Sequence, residues 1–333
     1  MTHRLIAGVP PPGEPVAADI IILALDRVDE TIAAIRSATK QTGVSTHVYV
    51  LDQGSTPDNL ARLVASVAEH CSLFAVDTNL GVAGGRNLLS RLGRGRIIVA
   101  LDNDAEFASP DTVARLAAAL DAEPSLAGIG CRIVSHTSGY DDLSSWGYPR
   151  ALLPAAGESF DTVTFVGAGH AIRRSAWEAV GGYDEALFFC WEEFDFALRA
   201  IASGWRFRYR GDIVIRHKVS DEQRVTWSGR RWFYFVRNRL YLERKHGRSG
   251  LMRAAGYLVK GTLNRMPIAT VRAIVAGWGM AGPCSGARDL GDEALAYLRR
   301  NDRLHRGGWG RRLMREVCVA IGPSSGVAAT TGR

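Results

Sequence analysis

The chain has 333 residues, 47% of them apolar and 23% charged, so it can bury a sizeable core and is not a disordered polymer. Its net charge of +7 suits anionic partners such as phosphates or a membrane surface. Five widely spaced cysteines without a CxxC pair exclude a zinc knuckle or a disulfide framework and fit a reducing cytosol.

Residues 1–18 pass through Pro10-Pro11-Pro12-Gly13 without the apolar core of a signal peptide, and read as a flexible leader. Asp19 to Leu25 is a continuous apolar run of strand length, as expected for a strand covered on both faces. A helical spacing follows over 29–39, then a second buried strand from Thr46 to Leu51 that runs into Asp52. Helix 59–70, strand 73–76, helix 84–92 and strand 96–101 continue the alternation. This pattern predicts parallel strands with right-handed crossovers and ligands bound beyond their carboxyl ends, where Asp52 and Asp102 fall.

An amphipathic helix is expected over 111–121 and a long polar loop over 135–160, placed as a lid over an acceptor. A strand is expected at 162–172, short helices at 175–180 and 192–202, and a strand at 207–217. The domains expected are therefore a leader (1–18), a catalytic domain (19–229), a basic helical extension (230–318) and a disordered tail (319–333). The stretch Met266 to Pro283 is apolar but carries Arg272 and several glycines and prolines, which makes it a poor spanning helix. A cytoplasmic protein is the expected setting, with the basic extension either peripheral at the inner face of the membrane or packed on the catalytic domain.

Asp102-Asn103-Asp104 follows a buried strand, where the two carboxylates either cap a turn or, thrown to one side, form a hard oxygen site suited to Mg2+ or Mn2+. Glu192, Glu193 and Asp195 open a helix, where they either match its dipole or supply a general base. His217 closes a strand, and a neutral imidazole there is an acceptable third metal ligand. The turn Asn79-Leu80-Gly81-Val82-Ala83-Gly84-Gly85-Arg86-Asn87 either brings backbone N–H groups to a phosphate or serves as a tight strand–helix connection.

Over residues 19–246 the chain resembles the family 2 glycosyltransferases. Eight motifs in the family's order carry the resemblance: V-L-D-Q-G-S-T (50–56), N-L-G-V-A-G-G-R-N (79–87), L-D-N-D (101–104), G-A-G-H-A-I-R-R (167–174), G-G-Y-D-E (181–185), F-F-C-W-E-E-F-D-F-A-L-R-A (188–200), H-K-V-S (217–220) and V-R-N-R-L-Y (236–241). The resemblance implies an α/β GT-A fold, a Rossmann-like mostly parallel sheet with a C-terminal helical extension. It implies an inverting, metal-dependent transfer from a UDP-, dTDP- or GDP-linked sugar to a glycan or lipid-linked acceptor. Asp52, Arg86 and Asp102 match nucleotide-sugar contacts, Asp102, Asp104 and His217 match the metal site, and Glu193 matches the catalytic base. Residues 167–169 match a wall of the sugar pocket.

Two positions depart from the family pattern. The first strand ends Leu23-Ala24-Leu25-Asp26-Arg27 rather than near P-T-Y-N-R, and the base is Glu rather than Asp. A sugar nucleotidyltransferase would carry a glycine-rich loop where Asp26-Arg27-Val28-Asp29 stands, and a non-catalytic glycan-binding relic would have lost the D-x-D or the base. A dehydrogenase would carry G-x-G-x-x-G after the first strand. Only the net charge favours nucleic acid, and no nucleic-acid partner is expected.

Overall fold

The computed structural model describes residues 3–67, 70–218, 229–247, 249–280 and 290–308, which fall into two compact units. The first runs through β1 (His3–Gly8), β2 (Ala18–Ala24), α1 (Val28–Thr39), β3 (Thr46–Asp52), α2 (Pro57–Ala65), β4 (Cys71–Val76), α3 (Gly81–Leu92), β5 (Ile97–Leu101), β6 (Ala105–Phe107) and α4 (Thr112–Ala122). It continues through β7 (Leu126–Ser135), β8 (Ser159–Thr162), β9 (Gly169–Arg173), α5 (Arg174–Val180), α6 (Glu192–Ala202) and β10 (Arg206–His217). The second unit holds α7 (Arg230–Lys245), α8 (Leu251–Leu263) and α9 (Pro267–Gly279). The chain then returns to the first unit as α10 (Asp292–Asn301).

One sheet, ordered β1-β4-β3-β2-β5-β9-β7-β10-β6 with β8 also on β10, divides the first unit. The apolar runs read as doubly covered strands are that. In β2, Ile20 and Ile22 enter one core while Ile21 enters the other; Val48 and Val50 of β3 face the first, Tyr49 and Leu51 the second. Helices α1 and α4 cover the first core, and α3, α5, α6 and α10 cover the second. Strands β2, β3, β4 and β5 are parallel, as the alternation predicts.

The sheet is nevertheless mixed. β9 runs antiparallel to both β5 and β7, so β7 and its parallel neighbour β10 point the same way as β5. The carboxyl ends of β3, β5 and β10 therefore share one edge of the sheet. β7 has no counterpart in the sequence reading, because Gly128 and Gly130 interrupt its apolar pattern where Ala171 and Tyr148 press against the backbone.

Two expected boundaries are corrected. His3–Gly8, assigned to a loose leader, is strand β1, antiparallel to β4. Segment 292–301, assigned to the basic extension, packs Ala294 and Leu298 into the second core of the first unit. Tyr297 Oη also lies 3.0 Å from both Thr162 O and Phe207 O, the two acceptors within reach of its one proton. The tail expected at 319–333 lies outside the described residues.

At the opposite end of the sheet from the carboxyl edge, Asp19 is fully buried. It accepts from Arg174 Nη2 at 2.6 Å and from Gly95 N at 2.7 Å, a clasp on the amino ends of the strands.

Candidate active site

Strand β3 delivers Asp52 to the carboxyl edge, 2% exposed. Its Oδ2 accepts from the amides of Gly54 and Ser55 at 3.1 and 3.2 Å and so shapes the turn. Its Oδ1 is buried and has no hydrogen-bond partner among the described residues. An unmatched buried acceptor costs stability, and such atoms concentrate where a ligand completes them.

Asp102 and Asp104 converge, though not for the reason the alternation of an extended strand suggests. Asn103 and Asp104 form a turn, closed by Ala105 N donating to Asp102 O at 3.0 Å. The chain bends back into β6, which pairs with the end of β10 and brings His217 opposite Ala105. His217 Nε2 lies 3.3 Å from Asp104 Oδ1. One ligand atom each of Asp102, Asp104 and His217 lies within 4.8 Å of the others, the one such group of three among the described residues. Two carboxylate oxygens and an imidazole nitrogen are a donor set that fits a hard divalent cation.

Two neighbours that the sequence reading passed over complete this cluster. Asp142 Oδ2 lies 2.9 Å from His217 Nδ1, which directs Nε2 toward the carboxylates; a carboxylate behind a ligating imidazole is the usual support of a metal site. Asp142 is itself held by Ser144 N and Oγ and by Ser145 Oγ. Its signal in the sequence is the self-capping run Asp141-Asp142-Leu143-Ser144-Ser145 inside an otherwise irregular loop. Arg27, in a left-handed conformation at φ 47°, donates Nη1 to Asp104 Oδ2 at 2.6 Å. Burial would lower the His217 pKa, but its bonds to Asp104 and Asp142 prevail and raise it to about 10. Asp104, despite burial, is held below the usual carboxylate range by His217 and Arg27.

Helix α3 turns Arg86 inward until its side chain is only 3% exposed. Nη1 donates to Glu193 Oε1 at 2.9 Å, and Nη2 donates to Asp102 Oδ1 and Gly167 O, each at 2.8 Å. One guanidinium thus joins the candidate base to the acidic turn. Burial raises the Glu193 pKa, and Arg86 limits the rise. Glu192, 3% exposed, is pushed well above its ordinary range by burial and by the adjoining charge of Glu193, and its Oε2 has no hydrogen-bond partner among the described residues. The third acid of the cluster, Asp195, bonds Arg199 Nε at 2.8 Å, which makes it an anchor of α6. A Cβ on Gly167 would lie 2.6 Å from Glu193 Oε1, so only glycine lets that wall approach the base.

The glycine-rich turn does not offer its amides to a phosphate. Leu80 N donates to Gln53 Oε1, Gly81 N to Asn79 Oδ1, and Val82 N to Phe188 O at 2.7 Å. Gly81, at φ 71°, is where a Cβ would meet Phe188 O at 2.2 Å. The tight-connection reading therefore holds, and what the turn supplies is Arg86. The segment it presses on is unusual: Phe188, Cys190 and Trp191 all have positive φ just before α6, a clustering of strain typical of functional sites.

The loop expected as a lid is partly pinned. Val134 bridges to Asp141, residues 150–155 form a 3-10 helix, and Trp146 and Tyr148 pack edge-on against Tyr209. Tyr140 is left 79% exposed.

Residues 19–181 match the model of glycosyl transferase family 2. Over 103 residues the chain is 36% identical to the succinoglycan biosynthesis protein ExoO of Rhizobium meliloti (strain 1021), spanning 31% of this chain but only 29% of that protein. It is 26% identical over 172 residues to an uncharacterized protein of Haemophilus influenzae, spanning 49% of this chain and 90% of the other. Among solved structures it resembles the mannosyltransferase PcManGT from Pyrobaculum calidifontis in complex with GDP-Man and Mn2+, with TM-score 0.55, 18% identity, and 94% and 88% of the two chains covered. It also resembles GalNAc-T7 with UDP, GalNAc and Mn2+, with TM-score 0.58, 13% identity, and 92% and 57% covered. A mixed sheet with its acids gathered at one edge, and these likenesses, define a GT-A fold. Over residues 19–181, just under half of its length, the chain is similar to glycosyltransferase family 2.

Proposed function

We propose that this protein transfers a sugar from a nucleotide-diphosphate donor to a hydroxyl of a glycan or lipid-linked glycan, with inversion at the anomeric carbon. The observation that carries the reading is the single network Glu193–Arg86–Asp102, adjoining Asp104 and His217 at one sheet edge. The neighbours solved with Mn2+ and GDP-Man or UDP support the donor class. The relation to a succinoglycan biosynthesis protein supports a polysaccharide acceptor.

Asp102, Asp104 and His217 would hold the divalent cation, Mg2+ or Mn2+. When bound, it supplies positive charge for the departing diphosphate. The nucleoside sits against Asp52, whose unmatched Oδ1 accepts from it, and against Asp102. Glu193 takes the proton of the acceptor hydroxyl as that oxygen forms its bond to the anomeric carbon. The carbon–phosphate oxygen bond breaks on the opposite face, and the nucleoside diphosphate leaves with the electron pair. One displacement and one base give inversion. Arg86 positions Glu193 and limits the upward shift that burial imposes on it, and Gly167 forms the wall beside it. The loop over residues 136–158 covers the acceptor.

Incubation of the protein with Mn2+ and a panel of UDP-, dTDP- and GDP-sugars, with released nucleotide as readout, tests the reading. Release from one donor class, lost in Asp104→Ala, is expected. Release from none of them, in the presence of polysaccharide-repeat acceptors, would sink it.

A further inference from the structure

The second unit presents a surface that its own core does not use. Helices α8 and α9 pack inward through Ala254, Ala273 and Ile274 against Trp232, Val236 and Leu240 of α7. They also pack tightly on each other: a Cβ on Gly261 would lie 2.0 Å from Thr270 Oγ1. Their outward sides are apolar rather than polar. Met252 is 70% exposed, Val259 48% and Leu263 65% on α8; Ile268 is 70%, Val271 49% and Val275 63% on α9. The spacing of each set, three to seven residues, keeps it on one helical face. A solvated helix would place charges there, and contiguous exposed aliphatic surface of this kind marks an interaction site.

Charge identifies the occupant. Between Leu251 and Met280 there is no aspartate or glutamate, whereas Arg253, Lys260, Arg265 and Arg272 are all basic. Arg253 is answered by Glu243 of α7 at 2.5 Å, but Arg265 and Arg272 are exposed on the hairpin itself. Two copies of such a face would repel each other. An anionic bilayer offers what both features need: headgroup charge for the arginines and a hydrocarbon boundary for the aliphatic side chains. Each helix has 13 residues, about 20 Å of length, too short for a hydrocarbon core of about 30 Å. Among the described residues no helix is long and apolar enough to cross a membrane.

We infer that the α8–α9 hairpin lies in the plane of an anionic membrane surface, with its outer aliphatic face in the headgroup layer. The inference deepens the proposed reading by fixing where a lipid-linked acceptor is met, yet its test does not depend on sugar transfer. The full chain is sedimented with vesicles of phosphatidylcholine, with or without phosphatidylglycerol. Binding to the anionic vesicles alone, reduced by salt, is expected. Val259→Glu with Ile268→Glu should abolish it while circular dichroism stays unchanged. Arg265→Gln with Arg272→Gln should weaken partitioning about thirtyfold, roughly fivefold for each charge removed. The inference is overturned if the full chain ignores anionic vesicles at low salt or if the double glutamate variant still binds them. It is equally overturned if light scattering shows a dimer that the glutamate variant dissolves, since a second copy would then cover the face.

Discussion

Arg86 Nη1 and Glu193 Oε1 lie 2.9 Å apart, and the arginine carrying that bond is 3% exposed. A buried guanidinium shared by two carboxylates and a carbonyl is costly to remove, because the acids it leaves behind are stranded without a counter-charge. Arg86→Met should destabilise the first unit by about 3–5 kcal/mol. It should also move the rise of the transfer rate to higher pH, because Arg86 is what limits the upward shift of Glu193. A melt and a pH–rate profile both indistinguishable from wild type would remove Arg86 from its positioning role.

The two adjacent glutamates should respond differently to amidation. Glu193→Gln cannot accept a proton, and transfer should fall roughly a hundredfold with nucleotide affinity little changed. Burial and the charge of Glu193 hold the Glu192 proton more tightly than on an exposed glutamate, so amidation there should cost less than at Glu193. Single-turnover rates compare the two variants directly. A larger loss in Glu192→Gln would reverse the assignment of the base.

Arg27 holds the same Asp104 carboxylate that a cation would use. A fixed positive side chain at 2.6 Å competes with a metal ion for that oxygen. Arg27→Met should therefore tighten Mn2+ binding, and Asp104→Asn should weaken it at least tenfold, both read from the free Mn2+ signal in electron paramagnetic resonance. Equal affinity in Arg27→Met and wild type would show that the arginine is no competitor.

A pH dependence is expected far from the site. Ser72 Oγ donates to Val9 O at 2.6 Å, so His47 Nε2 must donate to Ser72 Oγ across their 2.7 Å contact. Burial, with a smaller effect of His70, lowers the His47 pKa from 6.5 to about 4. Between these values the unfolded chain takes up a proton that the folded chain refuses. The contribution of neutral His47 is thus complete above pH 6.5 and is lost as pH falls toward 4, about 3 kcal/mol in all. Urea midpoints at pH 7 and pH 5 should converge in His47→Gln relative to wild type. An equal loss in both proteins would assign the acid sensitivity elsewhere, for example to buried His170.

The parallel half of the sheet was readable because β2, β3, β4 and β5 are covered on both faces and appear as largely apolar runs of strand length. β7 was not, since its glycines exist to admit Tyr148 and Ala171, a requirement set by distant chain. β1 escaped because its burial is slight and its pairing partner lies some seventy residues away. Asp102, Asp104, His217, Glu193 and Arg86 were each found from their motifs, and the structure brings them together. Arg27 and Asp142 were missed for one reason. Each acts through a side chain reaching across the fold, to Asp104 and His217, and nothing in the local pattern of a loop announces its destination.

The return of α10 to the first unit gives the chain a particular vulnerability to early stops. The last strand of the sheet is complete at His217, so a truncated product ending after α7 would look, on paper, like an intact catalyst with its accessory part trimmed away. It would lack Leu298, Ala294 and the Tyr297 hydroxyl that ties Thr162 to Phe207, and would expose part of the core beneath α6. Gene fragments cut after α7 are therefore poor guides to activity. An insoluble or silent fragment would report a missing keystone supplied from the far side of the sequence, and a loss of chemistry only at second hand.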